Sequence, residues 1–116
     1  MKKVLIIDDH VELLWVLKKG LEKANFDVVI MPDIDVIELT KNYKPDIIFI
    51  DILLSSYDGR SISQKLKRQE ETKHIPVILI SGLPNAQTEV AAAKADGFLA
   101  KPFSIAELVA KIKETI

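Results

Sequence analysis

Five short apolar runs recur along the chain: VLII at 4–7, DVVI at 27–30, DIIFI at 46–50, PVILI at 76–80 and GFLA at 97–100. Their length and β-branched content suit strands of a parallel sheet covered on both faces. Between them the apolar spacing changes to the helical period. In the first helix Leu14, Leu17, Leu21 and Ala24 form one stripe, and Asn25 follows where a left-handed cap would sit. The second helix is expected to begin near Asp33, and Pro45 bars it from continuing. The third covers about Gly59 to Gln69 and the fourth about Ala86 to Ala95. In the last helix Ser104 and Glu107 make a capping box, and Ile105, Leu108, Val109, Ile112 and Ile116 line one face. Five β-then-α units with short connections predict one α/β domain over residues 1–116, in three layers with right-handed crossovers.

Composition narrows the function classes. Of 116 residues, 48% are apolar and 28% charged, which describes an ordinary globular chain and not a disordered one. Sixteen basic and seventeen acidic residues are spread along it for a net charge of −1. No basic block exists to displace counterions, so direct nucleic-acid binding is not expected. Cysteine is absent, which excludes disulfide and thiol chemistry. Lys2 and Lys3 imitate the start of a signal peptide, but Asp8 interrupts the apolar run before it reaches the required length of about seven. No run approaches a bilayer span, and the expected location is the cytoplasm.

The ends of the strands carry the chemistry. In open α/β sheets ligands bind beyond the carboxyl ends of the strands. Strand one ends at Asp8 and Asp9, strand three at Asp51, strand four at Ser81 and strand five at Lys101. Adjacent carboxylates repel each other and resist burial, and a divalent cation offsets that repulsion. All-oxygen ligation suits Mg²⁺, which keeps several waters and favours a phosphate co-ligand. Magnesium, a lysine and a hydroxyl are the set needed to hold a transferring phosphoryl group. Asp51 itself can serve as nucleophile and form an aspartyl phosphate.

The segments IIDDH, IIFIDILLSSYDG, LISG and GFLAKPF, in that order, resemble the receiver domains of bacterial two-component response regulators of the chemotaxis-regulator type. The resemblance covers nearly the whole chain. It implies a doubly wound (βα)5 fold with a five-stranded parallel sheet in the flavodoxin-like order 2-1-3-4-5. It implies that Asp51 accepts the phosphoryl group, that Asp9 binds Mg²⁺ directly and Asp8 mainly through water, and that the Leu53 carbonyl completes the protein ligands. Lys101 would pair with phosphoryl oxygens, Ser81 would donate to one of them, and the Lys101–Pro102 bond would be cis.

The same resemblance implies a signalling switch that catalyses only its own phosphorylation and dephosphorylation. The donor would be a histidine kinase or a histidine phosphotransfer protein. Phosphorylation would draw Ser81 inward and free space for Phe98, reshaping the surface of helix four, strand five and helix five. Because no output domain follows Ile116, the chain would either act on a protein target alone or be the receiver fragment of a longer regulator. Trp15 and Val16 lie off the core stripe of helix one, which in the family helps to dock the phosphodonor; partner contact and the ordinary scatter of exposed apolar residues account for them equally well.

Four positions depart from the family pattern. Ser55 stands where proline is common, and Lys94 where glycine often precedes the Ala-Asp pair. Leu53 and Leu83 occupy places where faster-hydrolysing members carry polar groups, so a long-lived phosphate is expected. His10 and His74 lack a partner at ligand spacing and read as surface residues.

Rival functions fit less well. A haloacid-dehalogenase phosphatase needs one residue between its two aspartates, and Asp8 and Asp9 are adjacent. A flavin module needs a Ser-, Thr- and Gly-rich loop after strand one, and HVELLW is not one.

Overall fold

Alternate residues of the central strands feed two separate cores. The computed structural model describes residues 1–31, 36–54, 58–82, 84 and 86–116. Its elements are β1 (Lys3–Ile7), α1 (Val11–Lys23), β2 (Asp27–Met31), α2 (Val36–Tyr43), β3 (Ile47–Asp51), α3 (Gly59–Arg68), β4 (Val77–Ser81), α4 (Ala86–Ala92), β5 (Gly97–Ala100) and α5 (Ile105–Thr115). The strands form one parallel sheet in the order β2-β1-β3-β4-β5, as expected.

The two-residue period of a strand sends Val4, Ile6, Ile47, Phe49, Ile78 and Ile80 to one face, against Leu14, Leu17 and Leu21 of α1 and Leu108 and Ile112 of α5. Leu5, Ile7, Ile48, Ile50, Val77 and Leu79 go to the other, against Val36, Ile62, Leu66 and Ala93. Strands covered on both faces need apolar residues at every position, which is why they read as unbroken runs. Full burial of each Val, Leu, Ile or Phe side chain among these stabilises the fold by about 1.5–3 kcal/mol.

Helix ends follow local chemistry with some corrections. Asn25 adopts φ 69°, the left-handed conformation expected after α1. Ala24, however, is exposed: it is the C-cap residue and has already left the helical stripe. Ile116 is likewise 42% exposed beyond the last turn of α5, whereas the Ser104–Glu107 capping box forms as expected. α2 ends at Tyr43, with Lys44 at φ 54° before Pro45. The expected start at Asp33 lies outside the described residues, as do Ser55 and Leu83. α3 stops one residue short of Gln69, which caps it.

α4 ends at Ala92, three residues before the expected Ala95. Lys94 takes φ 56° and its N–H bonds to the Ala91 carbonyl at 3.1 Å, so it does the work of a C-terminal glycine at a steric cost. Two side chains of α3 cap the same end: Ser63 Oγ donates to the Ala93 carbonyl at 2.9 Å and Gln64 Nε2 to that of Ala92 at 2.8 Å. Among the described residues no helix is long and apolar enough to cross a membrane.

Candidate functional site

Strand register brings the chemistry-bearing residues to one rim. Ile7 pairs with Ile50 across β1 and β3, so the residues that follow, Asp8 and Asp51, are neighbours. Asp51 pairs with Ile80 of β4, and Ser81 with Ala100 of β5. The Lys101 N–H donates to the Ser81 carbonyl at 2.8 Å, which continues the ladder to the lysine. The Lys101–Pro102 bond is cis.

The Lys101 side chain then crosses to the acids. Its Nζ lies 2.7 Å from Asp51 Oδ2 and 3.2 Å from Asp8 Oδ2. The remaining oxygens of these carboxylates are held by backbone. The Leu53 N–H donates to Asp51 Oδ1 at 3.0 Å, and the His10 N–H to Asp8 Oδ1 at 2.9 Å. Asp8 and Asp51 are buried and Asp9 is half-buried. Behind the site, a Cβ on Gly59 would lie 2.0 Å from the Asp51 carbonyl oxygen. Only glycine lets α3 begin so close to this backbone.

Burial pushes the Asp51 carboxyl above its ordinary value; the Lys101 and Leu53 hydrogen bonds oppose this, and the Asp8 charge adds to it. Burial alone would lower the Lys101 ammonium, but its hydrogen bond to Asp51 and the charges of Asp8 and Asp51 hold it above the ordinary lysine value. One oxygen from each of Asp8, Asp9 and Asp51 falls within 4.8 Å of the others. Lys101 thus bridges two of three clustered carboxylates, a hard, all-oxygen donor set of the kind a divalent cation such as Mg²⁺ takes. The residues present fit that ion. Chemically, the rim offers clustered carboxylates, two of them buried, with an ammonium and a buried hydroxyl beside them.

Ser81 is buried at the end of β4. Phe98 is half-buried in β5, in register with Leu79 and packed against the second core. The Leu53 side chain is 61% exposed beside the rim. Trp15 and Val16 are exposed on α1, with Lys18 Nζ 5.6 Å from the centre of the Trp15 ring. His10 and His74 are exposed, and among the described residues neither imidazole joins the acid cluster.

Sequence reasoning missed a second charged group next to the rim. Asp58 caps α3 by accepting from the Arg60 N–H at 2.9 Å, and the Arg60 guanidinium grips both Asp58 and Glu89 of α4. The Asp58-Gly59 step ahead of an apolar stripe was the available signal for the cap. The partner on α4 had none.

Known proteins share this architecture. The chain is 34% identical to the DNA-binding dual master transcriptional regulator RpaA of Synechocystis, over 97% of this chain and 48% of that protein. It is 31% identical to the nisin biosynthesis regulatory protein NisR of Lactococcus lactis, over 98% of this chain and 50% of that one. The chain thus spans about half the length of the curated relatives it matches. Chemotaxis response regulator CheY4 of Vibrio cholerae superposes with a TM-score of 0.92 at 22% identity, covering 100% of this chain and 99% of its own. The receiver domain of the Pseudomonas aeruginosa sensor histidine kinase PA1611, solved with magnesium in its active site cleft, gives 0.87 at 24% identity, with 97% and 95% covered. The response regulator receiver domain model matches residues 4–113, the whole of the rim and nearly all of its scaffold, and on that match the chain belongs to the receiver domains of two-component response regulators.

Proposed function

We propose that this chain is a phosphorylation-dependent signalling switch in which Asp51 accepts a phosphoryl group from a phosphohistidine of a sensor kinase or phosphotransfer protein. The observation that carries the reading is the Lys101 ammonium bridging Asp51 and Asp8 within the acid cluster. An Asp51 oxygen forms the new P–O bond while the donor's N–P bond breaks, and the electron pair returns to the imidazole nitrogen. Lys101 and the Ser81 hydroxyl hold the phosphoryl oxygens. Asp9, Asp8 through water, Asp51 and the Leu53 carbonyl would hold Mg²⁺, which when bound supplies positive charge against the carboxylates and the incoming anion.

Ser81 moving toward the new phosphate would leave room for Phe98, whose half-buried ring lies on the α4–β5–α5 side of the fold. Phe98 has no hydroxyl, so its inward position would rest on packing alone. The apolar Leu53 side chain offers no group to orient an attacking water, which supports a long-lived phosphate. The downstream partner is a protein target or an attached output domain, and the setting is the cytoplasm.

The test is incubation with Mg²⁺ and acetyl phosphate followed by intact mass. Wild type should gain one acid-labile phosphoryl group and Asp51→Ala none. A wild type that stays unmodified, or an Asp51→Ala variant that gains the same mass, overturns the reading. Leu53→Asn should shorten the lifetime of the adduct; an unchanged lifetime counts against the part assigned to Leu53.

A further inference from the structure

Leu53 is held from two sides. Its N–H donates to Asp51 Oδ1 at 3.0 Å, and its backbone forms an isolated antiparallel bridge with Asp58. The Gly59 N–H, donating to the Ile52 carbonyl at 2.9 Å, closes that bridge. Asp58 is fixed in turn by Arg60, whose Nε lies 2.8 Å from Oδ1 and 3.0 Å from Oδ2. The same guanidinium reaches α4, with Nη1 2.7 Å from Glu89 Oε2. A planar fork that grips two carboxylates at once is pre-organised in a way a lysine is not. The links therefore run from the Asp51 carboxylate to the Leu53 N–H, across the Ile52–Gly59 backbone bond that pairs Leu53 with Asp58, and through Arg60 to Glu89.

We propose that Arg60 is a positioning residue: by tying Asp58 to Glu89 it sets the Leu53 carbonyl and so couples the cation affinity of the rim to the placement of α4. The inference rests on the reading of the rim as a Mg²⁺ site. Coupling of this kind is reciprocal. Whatever steadies α4 tightens the ion site, and an occupied ion site steadies α4. Arg60 and Glu89 side chains are 33% and 32% exposed, so the pair biases the two arrangements and does not lock them. An ion pair this open shifts an equilibrium by about two- to fivefold.

The experiment compares wild type, Arg60→Gln, Glu89→Gln and the double variant as full chains. Backbone hydrogen exchange is followed across residues 86–92 in the metal-free, unphosphorylated protein, and Mg²⁺ affinity is measured by calorimetry. Each single variant should speed exchange in α4 and weaken Mg²⁺ by about two- to fivefold. The double variant should be no worse than Arg60→Gln, because both changes break one link. Glu89→Gln decides the matter, since Glu89 makes no contact with the acids. Unchanged Mg²⁺ affinity in that variant overturns the proposal, whatever its exchange does. A wild type that binds no Mg²⁺ overturns the reading of the rim itself, a separate and recognisable outcome.

Discussion

Lys101 and Asp51 are fifty residues apart in the chain, and Lys101 Nζ lies 2.7 Å from Asp51 Oδ2. That ammonium also reaches Asp8, so removing it leaves two buried carboxylates against each other. Truncating one partner of a fully buried pair costs about 3–5 kcal/mol; the 28% exposure of Lys101 brings this down to about 2 kcal/mol. Lys101→Ala should therefore lose about 2 kcal/mol of unfolding free energy by urea titration in EDTA. Mg²⁺ should restore most of it by binding the folded state. Adding Asp51→Asn should restore stability without the ion. Equal stability of Lys101→Ala and wild type in EDTA would refute this charge balance.

Gly59 and Gly82 make a matched pair of tests on either side of the rim. A Cβ at 59 would meet the Asp51 carbonyl oxygen at 2.0 Å and its carbon at 2.8 Å, backbone atoms that cannot swing aside. At 82 the nearest atom among the described residues is the Lys101 Cβ at 3.8 Å, an ordinary contact. Gly59→Ala should cost about 3 kcal/mol and weaken Mg²⁺ binding by displacing Asp51, while Gly82→Ala should stay within about 0.5 kcal/mol of wild type. Thermal melts with and without Mg²⁺ read both effects.

The rim was legible because its residues end strands. Once Val4–Ile7, Ile47–Ile50 and Val77–Ile80 read as strands of one parallel sheet, Asp8, Asp51 and Ser81 had to fall on the same edge. Helix limits were less legible. A helical wheel assumes that the helix continues, so it placed Ala24 and Ile116 on stripes they have already left. The end of α4 depends on Ser63 and Gln64, which lie 30 and 28 residues from the carbonyls they take there. The Arg60–Glu89 link spans 29 residues with no local pattern to announce it. Capping by side chains from another helix is a tertiary fact that periodicity does not contain.

Acid should separate the charge of Asp58 from its capping role. The Arg60 hydrogen bonds hold the Asp58 carboxyl below its ordinary value of 3.8. A carboxylate depressed on folding adds stability that is present above its unfolded pKa and lost as pH falls through the folded one. Asp58→Asn keeps a good N-cap acceptor and removes only the charge. Wild type should therefore exceed Asp58→Asn at pH 7, and the gap should close below about pH 4. Because the Asp58 side chain is 42% exposed, screening limits the gap to less than about 1 kcal/mol, and high salt should shrink it. A gap that persists unchanged into acid would mean that the ionised carboxylate is not what Arg60 stabilises.

Trp15 offers a test of the proposed docking of a phosphodonor at the rim. Trp15 and Val16 are 53% and 60% exposed, and Val11, one turn before Trp15, is 53% exposed. α1 starts directly beyond the acids, since the His10 N–H is bonded to Asp8. An apolar strip at that place suits a partner that must bring a phosphohistidine to the rim, and a buried Trp is a common anchor of such contacts. Trp15→Glu should change folding stability by less than about 0.5 kcal/mol, because the side chain packs in neither core. Transfer from a histidine kinase should slow on the order of tenfold, while phosphorylation by acetyl phosphate, which needs no docking, should keep its rate. Equal slowing with both donors would place the effect on the chemistry of the rim, and an unaltered kinase rate would leave Trp15 without a part in docking.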